Sequence, residues 1–280
     1  MCIRDRGVRI ERPGLMLCGL AMITAVLAAG EMADMFQNAA SRVNGKVLMT
    51  AAFMMVVVTS VPALWTDYPA DCPLGRLGFA LSGLVVGIVI LFLFEMWSFD
   101  VETNSAKGEV IDRLGRSSLC LAYLNMLFSF LLVHRFLDGN NGLGLLAIVT
   151  LITTVKLSDA AAYFAGKSFG TIKLAPKLSP GKTIQGSMGG LVGGCVGAAI
   201  VIYLVGPYLF GITVDKAWWW VLLYGVLVTS AGMFGDLAES LIKRDTNTKD
   251  SSRWLPGLGG VLDVIDSLVF AAPVSFLLWI

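Results

Sequence analysis

Three short segments in the C-terminal half carry ionisable side chains inside or at the ends of strongly apolar stretches. Lys156 and Asp159 lie in Thr-Val-Lys-Leu-Ser-Asp-Ala-Ala-Ala-Tyr, Asp236 and Glu239 in Gly-Asp-Leu-Ala-Glu-Ser-Leu-Ile-Lys-Arg, and Asp263 and Asp266 in Val-Leu-Asp-Val-Ile-Asp-Ser. Each such group near the centre of a membrane helix costs about 2.5 to 3.5 kcal/mol on insertion scales, so their clustering calls for a purpose. Residues three and four apart share a helical face, which stacks Asp236, Glu239 or Ser240, and Lys243 on one stripe and aligns Asp263 with Asp266 on another. Lys156 and Asp159 can simply neutralise each other. Asp263 and Asp266 cannot, because two carboxylates one turn apart repel in a low dielectric unless a proton or a cation holds them. Oxygen-only ligands suit a hard cation, and magnesium takes one or two carboxylates, keeps its waters and binds substrate phosphates. A magnesium-phosphate site is the preferred reading.

Two polar connections supply the positive charge. Residues 166–185 carry Lys167, Lys173, Lys177 and Lys182 among turn-forming Pro and Gly. The tail Gly181-Lys182-Thr183 is not a P-loop: that motif needs a glycine where Pro176 stands, and a strand before it. Lys167 and Lys173 suit contact with lipid headgroups. Lys182 stands just before a helix entrance, whose free N–H groups favour anions, and is the better substrate ligand. The second connection, residues 242–258, holds Lys243, Arg244, Lys249 and Arg253 before the apolar run that contains Asp263.

The elements that must position these groups are membrane helices. The chain has 280 residues, 56% hydrophobic and 15% charged, with mean hydropathy +0.76, where a soluble domain carries about 25% charge. Eight stretches are long enough to cross a core of roughly 30 Å: 14–36, 46–65, 77–97, 117–137, 143–165, 186–210, 217–241 and 259–280. Strand-like alternation is absent, so the expected fold is all-α, a polytopic transmembrane helical bundle of about eight spans. Glycines 186, 189, 190, 193, 194 and 197 put small residues at helical spacing and predict close helix packing. Five scattered cysteines form no disulfide or zinc pattern and read as small apolar residues. Net charge +1 gives no field to attract nucleic acid.

Counting Lys46 and Arg135 at the span ends with their neighbouring connections, those after spans 1, 3, 5 and 7 hold thirteen Lys and Arg and those after spans 2, 4 and 6 hold three, which assigns the former to the cytoplasmic side. Both polar connections then lie on that side. Residues 1–12 read as an N-terminal tail, whose first six match the translation of a common sequencing adapter and are expected to be an assembly artefact. Residues 13–140 read as a transmembrane scaffold and 141–280 as the catalytic half.

Here a resemblance becomes specific. Ser-Leu-Ile-Lys-Arg, four residues, Lys-Asp, then Leu-Pro-Gly-x-Gly-Gly-Val-Leu-Asp-x-x-Asp-Ser resembles the signature of phosphatidate cytidylyltransferases, the CDP-diacylglycerol synthases. Ser158-Asp159 with Ala162-Tyr163, and Lys173-Leu-Ala-Pro with Ser179-Pro-x-Lys182-Thr, match the family's other stretch in the same order. The resemblance covers roughly residues 140–280 and reaches the N-terminal half only by hydropathy. This chain departs from it at Leu258, Val264 and Gln185, where the family has His, Arg and Glu. His134, the single histidine, is expected in a loop and not as a substitute.

The resemblance implies transfer of a cytidylyl group from CTP to phosphatidate at the cytoplasmic face of a bacterial-type inner membrane, with Mg2+ as cofactor. It implies Asp236 and Asp263 as metal ligands with Asp266 in the same site. It also implies Lys182, Lys243, Arg244 and Lys249 on phosphates, and Asp159 and Glu239 as supporting groups. A homodimer is left open. Two alternatives stay in play. One is a related CTP-dependent lipid enzyme, either a lipid kinase or a synthase for another lipid. The other is an ion-coupled transporter, although the internal repeats that transporters commonly show are not visible here. A CDP-alcohol phosphotransferase is disfavoured because its aspartate-rich motif is absent.

Overall fold

The computed structural model describes residues 14–38, 42–65, 72–99, 108–135, 137, 141–248, 251–252 and 259–280. The fold is an all-α polytopic membrane protein: seven helices are long and apolar enough to cross a membrane, and a shorter apolar helix makes the eighth. It divides into two compact units whose boundary cuts through three helices. One unit holds Ile10–Val133 with Lys243–Ile265, the other His134–Ile242 with Asp266–Ile280.

The first unit contains α1 (Leu15–Met35), α2 (Gly45–Thr59), α3 (Val61–Leu64), α4 (Gly75–Trp97) and nearly all of α5 (Glu109–His134). Small residues line the buried stripe of α1, where Cys18, Ala21, Ala25, Ala28 and Ala29 are almost wholly enclosed while Met16, Leu20 and Ile23 face outward. α2 answers with Leu48, Ala51, Ala52 and Met55. Two expected spans end elsewhere than hydropathy suggests. The second breaks at Ser60 because Pro62 has no N–H to continue the helix. The fourth starts a full two turns early, at Glu109, because its charged first turns are neutralised. Arg113 pairs with Glu95 at 2.9 Å and Glu109 at 3.8 Å, and Arg116 pairs with Asp112 at 3.0 Å. Acidic residues there also suit the positive end of the helix dipole.

The second unit contains α6 (Asn141–Phe169), a hairpin of β1 (Lys173–Ala175) and β2 (Ser179–Thr183), then α7 (Ile184–Ile200). Most of α8 (Trp218–Asp245) and of α9 (Val261–Trp279) complete it. The glycines of α7 work as packing predicts. A Cβ on Gly193 would meet Leu157 O at 2.9 Å and collide with Ala161, and one on Gly197 would sit 3.1 Å from Thr153 O. α6 and α7 therefore touch nearly backbone to backbone, and α8 approaches α7 at Gly225, where an added Cβ would sit 2.6 Å from Cys195 Cα. Beyond Ile200 the chain continues as a π-helical segment, Val201–Phe210, with Pro207 inside it.

His134 is not in a loop. It closes α5, fully buried, with Nε2 3.0 Å from Ser275 Oγ, which lies 2.7 Å from the Tyr224 hydroxyl. A lone imidazole in an apolar interior needs polar partners, and these satisfy it.

Candidate active site

The hairpin delivers Lys182. Lys173 pairs with Thr183 and Ala175 with Ser179 across the two strands, and Ile184 N donates to Ile172 O at 2.9 Å. Thr183 is the N-cap of α7, its hydroxyl accepting from Gly186 N at 3.1 Å. Lys182 thus stands one residue before a helix entrance, as its sequence context predicts. Gln185, a departure from the family pattern, holds this corner together: its Oε1 accepts from Thr171 N at 3.2 Å and Ile172 N at 3.3 Å, and its Nε2 donates to Thr171 Oγ1 at 2.6 Å. An amide suits these three contacts, so the change from Glu alters how the corner is braced.

Within the same unit the Lys182 ammonium forms an ion pair with Asp236 of α8. Asp266 of α9 lies close to both Asp236 and Glu239. Glu239 and Asp266 are 2% and 5% exposed, so this is an enclosed carboxylate cluster. Carboxylates gathered in so enclosed a place require a proton or a cation among them. Ser267 Oγ lies 2.9 Å from Asp266 Oδ1 and 3.4 Å from Asp159 Oδ2, joining α6 to the cluster. Asp159 also meets Lys156 at 3.5 Å. Mutual neutralisation of that pair is real, but Asp159 additionally faces the carboxylate cluster through Ser267.

Asp263 belongs to the other unit, where its Oδ1 is paired with Lys243. Its Oδ2 accepts from Gly260 N at 2.6 Å and Ser251 N at 3.3 Å and lies 2.7 Å from Ser251 Oγ. α8 ends just after Lys243 and Arg244, where Asn247 adopts a left-handed φ of 55° and Thr248 N returns to Lys243 O at 2.8 Å. Two cations on the last turn suit the negative end of the helix dipole. Arg244 is exposed. Lys249, the remaining expected phosphate ligand, lies outside the described residues, as do Leu258 and residues 1–12.

Among the described residues no three His, Cys, Asp or Glu side chains form a ready-made metal cage. Magnesium does not need one, since it completes its shell with waters and phosphate oxygens. The Asp236, Glu239 and Asp266 oxygens are the hard donors it takes, and the donor chemistry fits.

Three polar residues outside the expected set belong to these clusters. Ser267 and Ser251 each lie between two carboxylates, and Glu31, in α1, accepts from the first backbone N–H groups of α9. Glu31 was open to discovery by the same rule that singled out the others, being an ionisable residue within an apolar span.

The sequence matches the cytidylyltransferase family over residues 9–280. It is 44% identical over 133 residues to the uncharacterized protein YnbB of Escherichia coli, covering 48% of this chain and 42% of that one. It is 38% identical over 168 residues to the phosphatidate cytidylyltransferase of Haemophilus influenzae, covering 60% and 57%. The match to the phosphatidate cytidylyltransferase of Bacillus subtilis is 37% over 225 residues, covering 71% and 78%. The chain spans about half the length of the first two of these curated relatives. The family match runs through every described residue of both clusters, and the chain belongs to the cytidylyltransferase family.

Proposed function

We propose that this protein transfers a cytidylyl group from CTP to phosphatidate, giving CDP-diacylglycerol and pyrophosphate. The observation that carries the reading is the pairing of Lys182 with Asp236 beside the Asp266 and Glu239 carboxylates. It sets a cation for phosphate next to oxygens for a metal, at the end of membrane helices.

The chemistry asks for little beyond charge. A phosphomonoester has a second pKa near about 6, so near neutral pH the lipid phosphate already carries the nucleophilic oxygen and needs no base. That oxygen forms a bond to the α-phosphorus of CTP. The bond from that phosphorus to the bridging oxygen breaks, and its electron pair leaves with pyrophosphate. The barrier lies in bringing polyanions together and stabilising the departing charge, work for fixed cations. Lys182 is placed to hold triphosphate oxygens, exchanging Asp236 for a phosphate when CTP arrives. Lys243 and Arg244 would hold phosphates from the end of α8, with Lys249 joining them. Asp236 and Asp266 would hold magnesium, with Asp263 a further ligand by the family resemblance, and the ion when bound would supply positive charge for the transferring phosphates. Asp159 and Glu239 would fix the orientation of the carboxylates they adjoin. The positive-inside count supports an active site facing the cytoplasmic side, where CTP is found.

A lipid kinase using CTP would share these helices and cations. Position-specific label separates the two: protein given CTP labelled at the α-phosphate should label the lipid, and CTP labelled at the γ-phosphate should not. The reverse pattern would establish the kinase.

A further inference from the structure

α9 starts with a deficit. The first N–H groups of any helix have no acceptor inside it, and the N-cap here is Gly260, which has no side chain to offer. Asp263, the third residue of the helix, reaches back to Gly260 N at 2.6 Å. The next two donors are met from far along the chain. Val261 N donates to Glu31 Oε1 at 2.9 Å and Leu262 N to Glu31 Oε2 at 2.8 Å, and Ser251 Oγ lies 3.2 Å from the same Oε2. Glu31 stands near the C-terminal end of the apolar α1 and is only 8% exposed. A carboxylate so placed is costly unless donors satisfy it, and here both oxygens are used. The fit leaves no slack, because a Cβ at Gly260 would collide with Ser251 Oγ and the Glu31 carboxylate. Ser251 in turn lies 2.7 Å from Asp263 Oδ2. Glu31, Ser251, Gly260 and Asp263 thus form one closed set of contacts that fixes where the Asp263 carboxylate points.

We propose that Glu31 is a positioning residue for the reaction: by clamping the first turn of α9 and Ser251 it holds Asp263 and its partner Lys243 in working geometry. This rests on the function proposed above. It gives α1, in the half of the chain that reads as scaffold, a direct part in shaping the site. A displacement of about 1 Å in a reacting group can cost about 100-fold in rate, so loss of the clamp should act on turnover more than on CTP affinity.

The test uses the purified full chain with Glu31→Ala, Glu31→Gln and Asp34→Asn, the last an exposed acid one turn further along α1. CDP-lipid formation is followed against CTP, and backbone hydrogen exchange is followed in parallel. Glu31→Ala should lower kcat about 100-fold with KM for CTP within about threefold. It should speed exchange at Val261 and Leu262 while leaving α6 and α7 unchanged. Glu31→Gln, which keeps one acceptor oxygen, should recover about tenfold of the loss, and Asp34→Asn should stay within about twofold of wild type. Wild-type turnover in Glu31→Ala overturns the inference, and so does faster exchange throughout the protein, which would mark a general loss of stability. If the wild type itself makes no CDP-lipid, the proposed function falls and takes this catalytic role with it. Local exchange at Val261 and Leu262 would still report whether the cap exists, so the two failures are distinguishable.

Discussion

Lys182 and Asp236, 54 residues apart in sequence, form an ion pair that joins the end of the β1–β2 hairpin to α8. Each is the group that a bound triphosphate and its cation would compete for, so the pair is a resting arrangement that substrate can open. Lys182→Ala should therefore lower CDP-lipid formation by about 100-fold, in the range seen when a fixed donor to a developing anion is removed. Lys167, whose ammonium sits 5.8 Å from the centre of the Tyr163 ring, serves as the control, and Lys167→Ala should stay within about twofold. Equal, mild effects would assign both lysines to lipid headgroups.

Asp263→Asn keeps the size of the side chain and an oxygen for Gly260 N but removes the charge that pairs with Lys243. The protein should remain folded, with α9 intact by hydrogen exchange, while activity and its dependence on magnesium are lost together. Near wild-type turnover across a magnesium titration would show that this aspartate only caps the helix.

The close approach of α6 and α7 sets where Asp159 and Lys182 stand, and Gly193 is one of its tightest points. Gly193→Ala should destabilise the protein in detergent by about 1 to 3 kcal/mol, the usual cost of forcing extra volume into a packed contact. Gly19→Ala, where an added Cβ meets nothing within 4 Å, should leave the melting temperature unchanged or raised. The comparison is a thermal melt of the three proteins.

Much of this was legible from the residues because membrane insertion penalises charge so heavily. The apolar runs located the helices, and the few charges inside them located Asp159, Asp236, Glu239 and Asp266. Hydropathy failed where charges neutralise one another, as in the first turns of α5, and where one proline, Pro62, divides an apolar run. The hairpin was invisible because its strands are short and contain Pro180, Gly181 and lysines instead of an alternating pattern. Glu31 carries the same signal, a charge within an apolar span, but what it holds is illegible in sequence because its partners are two backbone N–H groups and a serine more than 200 residues away.

Orientation can be tested independently of activity. In a cysteine-free background, single cysteines at Lys177 and at Lys249 should both react with an impermeant maleimide only from the cytoplasmic side. Reaction of either from outside would remove the shared access to CTP that the proposed site requires.

The most direct measurement gives purified protein CTP, magnesium and phosphatidate in mixed micelles and quantifies pyrophosphate and CDP-diacylglycerol in the same reaction. The account predicts that both appear at equal rates, that omitting phosphatidate abolishes both, and that Lys182→Ala slows both by the same factor. Pyrophosphate without liponucleotide, or a phosphorylated lipid with CDP as the second product, would contradict it.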